Sequence, residues 1–211
     1  MLTTTVWTSP TPSARRQVPN PRRHTSLDGA ANGSPLIGTY LGSSTDFMAE
    51  CSGLPVYSVE ADARNYGFAK MRLRKHDNVK LSAGDSRQFI TRFMKFAGNP
   101  LLFYLDAHCG EDLPLSEEVA KIFSSCPEAV VMIDDFQVPD DNRYGYDDYG
   151  VGKALTREYI RPLVSQFQLA EFYPSTPSAG ESGLRRGCIV IARNRGLVDE
   201  LSRILLLRRW R

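Results

Sequence analysis

The 211-residue chain has few cysteines, and Cys51, Cys109, Cys126 and Cys188 stand far apart with no C-x-x-C pair among them. That scatter fits reduced thiols in a cytoplasmic protein. No apolar run approaches the roughly 20 residues that a membrane-spanning helix needs, so no membrane partner is expected. The first residues also lack the continuous apolar core of a signal peptide. There is no internal repeat. The spacing G-x-G-x-x-G is missing, and no lysine completes a Walker-type phosphate loop, which lowers the case for a dinucleotide or a nucleoside triphosphate.

A large excess of one charge is missing as well, since the formal net charge is only +2. Its distribution says more. Residues 1–35 hold Arg15, Arg16, Arg22 and Arg23 against Asp28, whereas residues 106–148 hold twelve acids against Lys121 and Arg143. The acidic stretch attracts cations, whether a metal ion, a sulfonium or an amine, and repels a phosphate backbone. Nucleic acid is therefore not an expected partner of that face. The basic face of residues 64–75 reads as solvated rather than as a nucleic-acid patch.

What is there divides into two parts. Residues 1–34 are rich in Pro, Gly, Ser and Arg with little apolar periodicity, and read as an irregular or disordered leader. Residues 35–211 read as one α/β domain. Short apolar runs at 36–37, 55–60, 79–83, 101–105 and 129–133 alternate with stretches of helical spacing, such as Phe89, Ile90, Phe93, Met94 and Ala97 on one stripe. Uniformly apolar strands alternating with helices predict a parallel sheet covered on both faces. A helix is predicted near 153–166, then strands near 169–173 and 187–192 with only a loop between them. One of that pair must therefore run antiparallel. A terminal helix is predicted over 196–211.

Crossover handedness places the C-terminal ends of parallel strands on one edge, where open α/β sheets bind ligands. Glu60, Asp85, Asp106, Asp134 and Asp135 all fall at or just beyond such ends. The turn Gly38-Thr-Tyr-Leu-Gly42 lies between the first strand and the helix that opens at Ser44 and Thr45, where glycine lets backbone approach a ligand and the helix start offers free N–H groups.

These segments, Ile37-Gly-Thr-Tyr-Leu-Gly-Ser-Ser-Thr45, Tyr57-Ser-Val-Glu-Ala-Asp62, Ala83-Gly-Asp-Ser86, Phe103-Tyr-Leu-Asp-Ala-His108 and Val131-Met-Ile-Asp-Asp135, follow one another in order. Over roughly residues 36–192 the chain resembles the class I S-adenosylmethionine-dependent methyltransferases, most of all the bacterial O-methyltransferases related to the macrocin and cephalosporin-pathway enzymes. The resemblance implies a Rossmann-like methyltransferase fold, with a mostly parallel seven-stranded sheet, helices on both faces and an antiparallel C-terminal hairpin strand. It also implies a cofactor site. Gly38, Thr39 and Gly42, with Ser44 and Thr45 behind them, meet the methionine part; Glu60 binds ribose; Asp85 and Ser86 read adenine; Asp106 closes the site. One position departs from the family, which usually has an acid two residues before the first glycine. Here that residue is Leu36.

The acids Asp106, Asp134 and Asp135, with His108 nearby, suit Mg²⁺, because hard cations take oxygen ligands. In the related metal-dependent enzymes the matching acids hold the metal, and the resemblance implies the same here, with His108 and Asp106 as catalytic groups. Strand-end acids also cap helices or pair with arginine, and the residues alone leave both readings open. The segment 137–152, with Tyr144, Tyr146 and Tyr149, reads as a loop over the acceptor side. The loop from Pro174 to Gly183, with Arg185 and Arg186 after it, has the charge to recruit an anionic substrate but carries no motif. The expected function is methyl transfer to a hydroxyl of a small metabolite or sugar, with a homo-oligomer left open. The alternatives are a nicotinamide-dependent oxidoreductase and a non-catalytic relative that keeps the fold, for which Leu36 is the main support.

Overall fold

A computed structural model describes residues 34–107 and 112–211. The leader and His108 lie outside the described residues. The strands are β1 (Ser34–Ile37), β2 (Val56–Glu60), β3 (Val79–Ala83), β4 (Leu101–Leu105), β5 (Ala129–Ile133), β6 (Ala170–Pro174), β7 (Ile189–Ala192) and β8 (Leu207–Arg209). The helices are α1 (Ser43–Ser52), α2 (Ala63–Leu73), α3 (Ser86–Phe93), α4 (Leu115–Ser125), α5 (Arg157–Phe167) and α6 (Arg195–Leu201). The sheet order is β3-β2-β1-β4-β5-β7-β6-β8. The first five strands are parallel, while β7 runs against both β5 and β6.

The apolar strand runs resolve into two faces with the period of two that a pleated strand imposes. Tyr57, Val59, Phe103, Leu105, Val131, Ile133, Ile189 and Ile191 join the main core under α3, α4 and α5. Val56, Tyr104, Val190 and Ala192 face the other way, toward α1 and α6. Both faces are therefore covered, as uniformly apolar strands require. β1 lies between β2 and β4, but β4 pairs with it only from Leu36 onward. Pro35, which has no N–H to donate, stands outside that second ladder.

Two features differ from the sequence expectation. The sheet has eight strands rather than seven, and the predicted terminal helix stops at Leu201. A turn in which Leu207 N–H donates to Ile204 O (3.0 Å) leads into β8, which pairs antiparallel with β6. The leucines at 201 and 205–207 do fit a helical stripe. Pairing with the open edge of β6 wins because it satisfies backbone groups that a surface helix would leave uncovered. Side chains reinforce it. Arg208 Nε donates to Pro174 O (3.0 Å), Trp210 packs edge-on against Tyr173, and Trp210 N–H donates to Glu171 O (2.8 Å). No helix among the described residues is long and apolar enough to cross a membrane.

Candidate functional site

Because the five leading strands are parallel, their C-terminal ends share one rim. A cleft of about 380 Å³ opens there, lined by Gly38, Glu60, Asp85, Ser86 and Asp106 together with Tyr40. The chain crosses itself tightly at this point. Gly38 has φ +89°, and a Cβ on it would stand 2.2 Å from the backbone oxygen of Asp106. Only glycine fits, so β1 and β4 can deliver their loops to the same place.

Glu60 ties the turn to β2. Its Oε2 accepts Tyr40 N–H at 2.6 Å and its Oε1 accepts Asp62 N–H at 2.9 Å. A carboxylate has about four acceptor positions, so two remain for ligand hydroxyls. Asp85 caps α3 by accepting Gln88 N–H at 3.1 Å and is ion-paired with Arg87 at 2.7 Å; the guanidinium holds its carboxyl below the usual range. Ser86 lies beside Glu118, a wholly buried acid with no well-formed hydrogen bond to either oxygen, whose carboxyl burial pushes up to about 7.

The remaining residues assigned to the cofactor are placed elsewhere. Thr39 and Thr45 point into the sheet, sharing the Ser58 hydroxyl at 2.6 and 3.3 Å, and both are buried. Gly42 caps α1, and Ser44 hydrogen-bonds the Tyr104 hydroxyl. They shape the turn and do not line the cleft. Ser58→Ala removes the hydroxyl that both threonines share, and is expected to cost about 1–3 kcal/mol in a urea unfolding titration.

The acids beyond β4 and β5 are close together but differently committed. Tyr104 donates its hydroxyl to Asp134. Asp135, at φ +51°, is paired with Arg186, and Arg186 also reaches Asp147. Burial and the neighbouring Asp134 push Asp106 up to about 8, and burial raises Asp134 as well. Among the described residues no group of three acids, histidines or cysteines converges to hold a metal ion. The donor set does not fit Mg²⁺, because Asp135 is already held by a guanidinium and Asp134 by a phenol. The recruiting role read for Arg186 is likewise corrected, since its side chain is spent on these two acids.

Two loops overhang this side of the rim and are stapled together. Asp141 accepts both the N–H and the hydroxyl of Ser178 at 2.8 Å, while the one hydroxyl proton of Tyr144 is shared between Thr176 O at 2.9 Å and Glu181 Oε1 at 2.8 Å. Tyr144 is buried, so it acts as a pin, whereas Tyr146 and Tyr149 are half-buried. Tyr104 and Asp147 were not legible as site residues, and Arg186 was legible only as a group for an anionic substrate, not as the partner of Asp135 and Asp147. Arg186 precedes an antiparallel strand, and only that reversal brings a strand's beginning to the rim.

The sheet order and the cleft together define the fold of class I S-adenosylmethionine-dependent methyltransferases. Two solved structures with this fold are the O-methyltransferase from Bacillus cereus in complex with SAH and Aeropyrum pernix fibrillarin with natively bound S-adenosyl-L-methionine. The first is 17% identical with a TM-score of 0.56, the alignment covering 78% of this chain and 74% of that one. The second is 13% identical with a TM-score of 0.55, covering 78% and 67%. No family model matches the chain, and no curated protein is similar to it in sequence.

Proposed function

We propose that the chain transfers the methyl group of S-adenosylmethionine to a hydroxyl of a small molecule. The observation that carries this is the single cleft at the strand ends into which Gly38, Glu60, Asp85, Ser86 and Asp106 all open. Bound S-adenosylmethionine supplies an electrophilic methyl group on a sulfonium, leaving as the thioether once the acceptor oxygen takes the methyl. The chain's own part is positioning and charge, which is where a direct displacement gains most. Glu60 offers its two free acceptor positions to ribose hydroxyls, and Asp85 with Ser86 borders the adenine end. Asp106, kept protonated near neutral pH, ionises beside a cationic ligand and then accepts the hydroxyl proton of the acceptor. A small acceptor is favoured over nucleic acid, because Asp134, Asp135 and Asp147 surround the single Arg186 and repel phosphates.

Isothermal titration with S-adenosylmethionine tests this reading. Affinity is expected to strengthen as pH rises from 6 to 9, since Asp106 must lose its proton to favour a sulfonium. Heats measured in buffers of different ionisation enthalpy should reveal proton release near pH 7. No binding at millimolar cofactor, or binding of NADH instead, would remove it. Labelled-methyl transfer to a panel of hydroxylated small molecules, with RNA as a control, then identifies the acceptor class.

A further inference from the structure

The acid cluster already contains a cation. Arg186 donates through Nε to Asp135 Oδ1 at 2.5 Å and through Nη2 to Asp147. It also lies near enough to Asp106 and Asp134 to act electrostatically on both. Several local features put it there. β7 is antiparallel, with Ile189 opposite Ile133, so the residues just before β7 stand beside those just after β5. The Arg186 segment is laced to the loop by Gly145 N–H donating to Arg185 O (2.7 Å) and Gly187 N–H donating to Gly145 O (2.9 Å). Gly145 leaves room for the guanidinium, since a Cβ there would stand 3.3 Å from Nη1.

We infer that Arg186 is the resident cation of this rim: its guanidinium, clamped between Asp135 after β5 and Asp147 in the overhanging loop, takes the place that the resemblance assigns to a divalent ion. It is a positioning residue. A planar guanidinium can span two carboxylates with directed hydrogen bonds, whereas lysine offers only a point charge. Asp147 N–H also donates to Asp135 O at 2.9 Å, so the clamp closes a short circuit of backbone and side chains over the strand end. The inference rests on the methyl-transfer reading only for the purpose the cation serves; its geometry stands apart from turnover.

Terbium(III) is a suitable probe, because it takes the oxygen ligands that Ca²⁺ and Mg²⁺ take and emits when a nearby tyrosine is excited. Tyr104 and Tyr149 donate to Asp134 and Asp147, so an ion held here would be reported. The wild-type chain is expected to show no saturable emission below about 1 mM terbium. Arg186→Gln, which uncovers the acids, should gain a saturable site that excess Mg²⁺ empties and that a second change, Asp135→Asn, abolishes. A wild-type site dependent on Asp135, or no site in folded Arg186→Gln, overturns the inference. Arg186→Lys keeps the charge and checks the clamp without relying on that variant. Trypsin cleavage at the exposed Arg143 in the loop should accelerate about tenfold, as local opening becomes easier. An unchanged cleavage rate would also overturn it. S-adenosylmethionine titration of the same wild-type sample keeps the two readings separate, since lost cofactor binding leaves the terbium result intact.

Discussion

Gly38→Ala is expected to cost about 3–5 kcal/mol and to remove cofactor binding altogether. Two effects add. The new methyl group would stand 2.2 Å from Asp106 O and 2.4 Å from Asp106 C, both backbone atoms that no rotamer change can move away. The residue would also hold φ +89°, where an L side chain is strained. Relief requires β1 and β4 to part at their ends, where they pair through Leu36↔Tyr104 and Ile37↔Leu105. The cleft is made by that approach, so stability and binding should fail together. Thermal melting and cofactor titration of the variant check both. A variant with wild-type melting temperature would show that the loops separate freely and that the crossing is not the frame of the cleft.

Asp106→Asn is expected to have opposite effects on stability and activity. The carboxyl stands near pH 8 in the folded chain and near 4 when unfolded, so between those values only the folded chain binds the proton. Stability from this group is therefore largest below pH 4 and falls as pH rises to 8, by up to about 1.4 kcal/mol per pH unit before relaxation. Burial is the main cause and the Asp134 charge the second, and an amide removes both penalties. The variant should melt roughly 5–10 °C above the wild type at pH 8, and the gap should close toward pH 5. Methyl transfer should fall by about 10²–10⁴-fold, the usual worth of a positioned proton acceptor. A melting curve for the variant that tracks the wild type at every pH would mean the carboxyl is ionised and well solvated.

The doubly wound fold was legible because its evidence is local. Apolar runs such as Leu101–Leu105 and Ala129–Ile133 are short enough to favour strands with both faces in the core, Leu102 being the exposed exception, and the stripe from Phe89 to Phe93 has the spacing of a helix lying on them. β8 was not legible, because its partner, the edge of β6, lies more than thirty residues away and the leucines near it suit a helix equally well. The site divides in the same way. That acids gather on one rim follows from strand direction alone. Which of them remain open to a ligand depends on Arg87, Tyr104 and Arg186 reaching in, and their side-chain directions are set by packing rather than by spacing. Thr39 and Thr45 illustrate the point, since the phase of the turn sends their hydroxyls to Ser58 and away from the cleft.

The staple between the two overhanging loops has a practical corollary for anyone wishing to redirect this scaffold. Asp141 with Ser178, and Tyr144 with Glu181, join segments separated by 37 positions in the chain into one cassette. A donor loop transplanted alone would arrive without its counterpart, stranding a buried tyrosine and a carboxylate that had been saturated. Exchanging the pair as a unit, at the ends of β5 and β6 and the starts of α5 and β7, keeps those bonds internal to the insert, and it replaces the Asp135–Arg186–Asp147 clamp beside the cleft at the same time.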